Sequence, residues 1–97
     1  MKVVILGAGK VGESLARNLS QDGYDISLVD LNKNKIDYLQ DRLDVAAIVG
    51  HAAHPNSFKK SGADSETIVL AVTNNDEVNI AACQIAKAQF SVKKTIC

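Results

Sequence analysis

The sequence predicts an α/β fold, a doubly wound parallel sheet of strand order 3-2-1-4-5, from three observations. Short runs of Val and Ile alternate with stretches whose apolar residues recur at helical spacing, giving the order β-α-β-α-β-α-β-α-β. The runs VVIL, AAIV and IVLAV are continuously apolar rather than alternating, as expected of strands covered on both faces. Parallel strands joined by right-handed crossovers then leave a topological switch between the first and fourth strands, and a ligand is expected above it.

Each element follows from its own pattern. The first strand is expected over Lys2 to Leu6 and the second over Asp25 to Asp30. The helix between them carries Val11, Leu15, Ala16 and Leu19 on one face. Ile36, Leu39 and Leu43 share a face of the second helix, which leads to a third strand over Val45 to Val49. A short third helix follows Pro55 and ends near Gly62, where proline suits the first turn and glycine the exit. Thr67 to Val72 forms the fourth strand, Asn75 to Phe90 a long fourth helix, and Lys94 to Cys97 the beginning of a fifth strand. That last run stops before a strand could be completed and covered, so residues 1–97 read as a single domain truncated after the start of strand 5, a fragment of a longer protein.

Composition narrows the function. Of 97 residues, 46% are hydrophobic and 23% charged, and the 11 basic residues balance the 11 acidic ones, so no charge excess advertises a nucleic-acid or membrane partner. The apolar runs are far shorter than the roughly 18 residues that suggest a membrane span, and no signal peptide precedes the first strand. Cys83 and Cys97 have neither metal-site spacing nor the density of a secreted scaffold, which points to a reducing cytoplasm.

Gly7-Ala8-Gly9-Lys10-Val11-Gly12 fits G-x-G-x-x-G and lies between the first strand and the first helix, where a Rossmann-like phosphate cradle belongs. Gly7 is expected at the tight turn, Gly9 at the close approach of a pyrophosphate, and Gly12 where helix and strand pack closely. The free N–H groups and positive dipole end of the helix would face the phosphates. Asp30 ends the second strand eighteen residues beyond Gly12, placed to accept hydrogen bonds from adenosine ribose hydroxyls and to repel a 2′-phosphate. This favours NAD(H) or an adenine nucleotide over NADP(H), with Leu31 beside the acid and Lys33 the nearby cation. A strand-end acid can also serve only to cap a helix, a task that Asn32 is equally placed to perform.

After the third strand, Gly50 would let the backbone turn beneath the adenine, with His51 and Ala52 along its edge. His51 and His54 lack a third ligand close in sequence, so no metal is expected. After the fourth strand, Thr73, Asn74 and Asp76 would lie across the switch from the glycines, although Thr, Asn and Asp are also what helix starts select. No Tyr-x-x-x-Lys, nucleophile elbow, Walker lysine or Cys-His pair is present, so the cradle is expected to hold a ligand without transforming it. A dehydrogenase fragment lacking its catalytic half is the enzyme alternative.

With ILGAGKVG, LVD, VGHAAHP and AVTNNDEVNIAACQIAK, the chain resembles the TrkA-N, or regulator-of-potassium-conductance, nucleotide-binding domains found at the N-terminus of regulatory subunits of bacterial Trk potassium uptake. The most specific match is T-N-x-D-E-x-N followed by a helix of small residues. The resemblance implies a non-enzymatic cytoplasmic regulator that binds NAD(H), or in some members ATP or ADP, and controls a potassium-transporting membrane subunit. It assigns Gly7, Gly9, Lys10, Val11 and Gly12 to the phosphate loop, Asp30 to the ribose, and Thr73, Asn74 and Asp76 to contacts after the fourth strand. Many relatives carry Asp where this chain has His51, a Gly-His-Ala form that also resembles proteobacterial members. Apolar residues from Val78 to Ala88 cover nearly the whole circumference of the fourth helix, so part of it is expected to form a homodimer or higher oligomer.

Overall fold

The computed structural model describes residues 1–97 as nine elements: β1 (Lys2–Leu6), α1 (Lys10–Gln21), β2 (Asp25–Asp30), α2 (Lys33–Arg42), β3 (Ala46–Val49), α3 (Pro55–Ser61), β4 (Ile68–Ala71), α4 (Asp76–Phe90) and β5 (Lys94–Ile96). The five strands form one parallel sheet in the order β3-β2-β1-β4-β5, as the sequence predicts. β3 and β4 are slightly shorter than expected, and Asn75 is the cap of α4 rather than its first residue.

Alternation along the central strands sorts the core into two layers. Val3 and Ile5 of β1, with Ile26 and Leu28 of β2, point to the face covered by Ala16 of α1 and by Ile36 and Leu39 of α2. Val4, Leu6, Val29, Val69 and Ala71 point to the other face, beneath Phe58 of α3 and Ala82, Cys83 and Ala86 of α4. Because successive residues point to opposite faces, a strand covered on both sides must be apolar throughout, which is why β1 reads VVIL. The largest fully buried side chain is Phe58, whose ring lies 5.3 Å from that of Phe90 across the α3–α4 contact.

Local signals end the helices. Asn32 caps α2 by accepting from the Lys35 N–H at 3.2 Å, and Asn75 caps α4 by accepting from the Val78 N–H at 3.1 Å. His54 caps α3 through Nδ1, which accepts from the Asn56 N–H at 3.1 Å, and α3 exits through Gly62 in the left-handed region. α1 has no such side-chain cap, because its N-cap is Gly9. One approach was not legible in the sequence: the sulfurs of Cys83 of α4 and Cys97 beyond β5 come within disulfide-bonding distance, with Cα atoms 6.8 Å apart. The parallel return of β5 beside β4 brings the two together, something their separation along the chain does not announce.

The apolar circumference of α4 is partly covered within the domain. Ala82, Cys83 and Ala86 are buried and Ile85 is half-buried, whereas Ile80 stays 54% exposed. Phe58→Ala, which empties the layer between α3, α4 and the sheet, is expected to cost about 3–5 kcal/mol. Urea unfolding of the two proteins checks this through the shift in midpoint.

Candidate functional site

A cavity of about 670 Å³ opens at the carboxyl edge of the sheet, over the switch between β1 and β4. Four loops wall it. The β1–α1 turn contributes Gly7, Gly9, Lys10 and Val11; the ends of β2 and β3 contribute Asp30, Leu31, Gly50, His51 and Ala52; and the β4–α4 turn contributes Thr73, Asn74 and Asn75.

The glycine turn is shaped by contacts that exclude side chains. Gly7 has φ of +112°, and a Cβ there would meet the backbone of Thr73 at 3.0 Å. A Cβ at Gly12 would lie 1.7 Å from the carbonyl oxygen of Gly7, so α1 can begin against the turn only because position 12 is bare. Gly9 differs from both. Its φ is −74°, open to any residue, and a Cβ there would meet nothing within 4 Å. The protein itself does not require glycine at position 9, so the bare backbone leaves room for something outside the chain. The uncapped first turn of α1 faces the same space, with donors and a positive dipole end that suit an anion.

Asp30 ties the opposite lip to this turn. Its Oδ2 accepts from the Ala8 N–H at 2.7 Å and its Oδ1 from the Asn32 N–H at 2.8 Å. Each carboxylate oxygen keeps further lone-pair capacity for a ligand hydroxyl. The acid thus holds the glycine turn as well as facing the cavity, while the capping role falls to Asn32.

Across the switch, the β4–α4 turn is organised by a buried residue to which sequence reasoning gave no role. Asn79 Oδ1 accepts from the Thr73 N–H at 3.1 Å and from Thr73 Oγ1 at 2.6 Å, while its Nδ2 donates to the Thr73 carbonyl at 3.1 Å. It is the final N of T-N-N-D-E-V-N, so the signal was on view.

Some expected residues lie elsewhere. Ala8 and Gly12 support the turn from behind rather than lining the cavity. Lys33 lies away from the cavity: its Nζ pairs with Asp37 Oδ2 at 2.6 Å on the exposed side of α2, and Lys35, two residues on, lines the cavity. Asp76 lies in the first turn of α4, outside the cavity lining, where Asn75 and Val78 stand. Val29 and Val72, read only as strand residues, form apolar wall.

Known proteins resemble this chain in sequence and in fold. A family model described as the TrkA-N domain matches residues 3–97. The Trk system potassium uptake protein TrkA of Vibrio alginolyticus is 44% identical over 96 residues, 99% of this chain and 21% of that protein. Its namesake from Azorhizobium caulinodans is 42% identical over 92 residues, 95% of this chain and 20% of that protein. The chain therefore spans about a fifth of the length of these relatives. Among solved structures, the Shewanella denitrificans Kef CTD in AMP-bound form superposes with a TM-score of 0.81 at 22% identity, covering 97% of this chain and 57% of that one. The NAD(P)-binding domain of an exopolyphosphatase-related protein from Archaeoglobus fulgidus gives 0.80 at 23% identity, covering 95% and 68%. At such identities these two structures establish the fold.

The glycines separate into two classes under substitution. Gly12→Ala is expected to destabilise the unliganded protein by about 1–3 kcal/mol through overpacking against the Gly7 carbonyl. Gly9→Ala is expected to stay within about 1 kcal/mol of wild type. Thermal unfolding of both variants checks this; equal losses would remove the distinction.

Proposed function

Because the chain belongs to the TrkA-N domain family, we propose that it is a nucleotide-binding regulatory domain of a Trk-type potassium uptake system, with NAD(H) as its ligand. The observation that carries this reading is the N-terminus of α1. The other three helices are capped by their own side chains, whereas α1 turns uncapped N–H groups toward the cavity beside the open space at Gly9. That pairing of donors and clearance suits a pyrophosphate.

In this reading Gly9, Lys10 and Val11 receive the phosphates, with Gly7, Ala8 and Gly12 shaping the turn. Asp30 accepts from the adenosine ribose hydroxyls and disfavours a 2′-phosphate. Leu31, Gly50, His51 and Ala52 enclose the base, and Thr73 and Asn74 face the ligand from the other side of the switch. The domain acts without catalysis, in the cytoplasm, as part of an assembly that controls a potassium-transporting membrane subunit. No helix of this chain is long and apolar enough to cross a membrane; its contact with that subunit is proposed to be peripheral.

Regulation requires that the ligand favour one arrangement of the assembly over another. Reversing a strongly biased equilibrium takes about 5.5 kcal/mol of differential affinity, more than one small domain is expected to supply. Several coupled copies divide that requirement, and the exposed Ile80 on α4 is a candidate point of contact between them.

Calorimetric titration with NADH, NAD, NADPH, ATP and ADP tests the reading. NADH or NAD is expected to bind at least about tenfold more tightly than NADPH, and Asp30→Ala to weaken NADH by about 1.5–3 kcal/mol as a charged hydrogen bond is lost. Preference for ATP or ADP would keep the cradle and make the signal energetic. Absence of binding by all five would overturn the proposal.

A further inference from the structure

His51 carries the only aromatic ring on the cavity wall, and its backbone is held by the surrounding loop. The backbone carbonyl of His51 accepts from Ser57 Oγ at 2.8 Å and from the His54 N–H at 3.1 Å. Just before it, the Gly50 N–H donates to the Asp30 carbonyl at 3.0 Å, which ties the loop to the end of β2. A side chain at position 50 would collide with Ser57, since a Cβ there would stand 2.6 Å from its Oγ.

The ring itself makes one further bond within the loop. Nδ1 accepts from the Ala53 N–H at 3.0 Å. A backbone N–H can only donate, so Nδ1 must present its lone pair, and the ring proton of the neutral imidazole resides on Nε2. The loop therefore selects a single tautomer. The surrounding wall offers Leu31, Ala52 and Val29, which suit the faces of a flat ring but supply no side-chain hydrogen bond. With Nδ1 engaged by the loop, Nε2–H is the donor that the imidazole has left to offer a ligand.

We infer that His51 is a specificity-determining residue whose Nε2–H donates to an unprotonated ring nitrogen of the adenine base. The inference rests on the nucleotide reading above and deepens it: the apolar wall accepts a planar base, and the fixed donor selects one with a lone pair at that edge. A group that can only donate rejects a ring position carrying a hydrogen, because the two hydrogens would then face each other unpaired. His51 thus contributes discrimination among bases rather than the bulk of the affinity, which belongs to the phosphate and ribose contacts.

The test is a cycle in which the ligand atom and the protein donor are each removed. NADH and its analogues carrying 1-deaza-, 3-deaza- or 7-deazaadenine are titrated calorimetrically into the wild-type chain, His51→Asn and His51→Phe. Asparagine keeps an acceptor for the Ala53 N–H, as in an Asx turn, while withdrawing the distant donor. Phenylalanine keeps a flat ring without the donor. One analogue is expected to bind wild type about fivefold more weakly than NADH, the net worth of a neutral hydrogen bond, and to bind both variants as well as NADH does. If NADH binds and no analogue is weakened, or if the weakening persists in both variants, His51 does not read the base and the nucleotide reading stands. If NADH does not bind wild type, this inference falls together with NAD(H) as the ligand.

Discussion

The approach of Gly12 to the Gly7 carbonyl sets the rest of the molecule. A methyl group at position 12 would occupy the space of that oxygen, so the bare backbone is what allows α1 to start at the very edge of the sheet. From this follow the direction of the first-turn N–H groups and the packing of Ala16 onto Ile5 and Ile26. Asp30 completes the constraint from the neighbouring strand by accepting from the Ala8 N–H. The turn is thus held by a steric limit on one side and a carboxylate on the other, and neither depends on a ligand.

Much of this was legible in the sequence because the features are local. A glycine motif between a strand pattern and a helix pattern has few structural interpretations, and the strand order follows from uninterrupted alternation of strands and helices. The distance from Gly12 to Asp30 likewise spans only one helix and one strand. What was not legible depends on rotation or on distant contacts. Lys33 and Lys35 are two residues apart in one helix, about 200° of turn, so proximity in sequence could not say which one faces the cavity. Asn79 lay inside a recognised motif, but only the fold of the β4–α4 turn reveals that both ends of its amide meet Thr73.

The same limit applies to α4 and the cysteines. Counting apolar residues around the helix points to more than one apolar face, yet the share taken by Phe58, Phe90 and Val92 depends on where α3 and β5 return. Cys83 meets Cys97 for that reason too. His51 and His54 lie three residues apart in one loop region, and both turn Nδ1 toward a nearby backbone N–H. Only the setting separates them: one ring caps a helix, the other borders the cavity.

The position of β1 at the centre of the sheet also governs the order in which the protein can be assembled. β1 leaves the ribosome first, and its neighbour β2 follows within one crossover, but its other neighbour is β4, with Val3 paired to Ile68. At about 5–20 residues per second, several seconds of synthesis separate the two. Throughout that interval one hydrogen-bonding edge of this central, largely apolar strand stands open to other chains. The seam between β1 and β4 that carries the cavity in the finished domain is therefore the last side of β1 to close during synthesis.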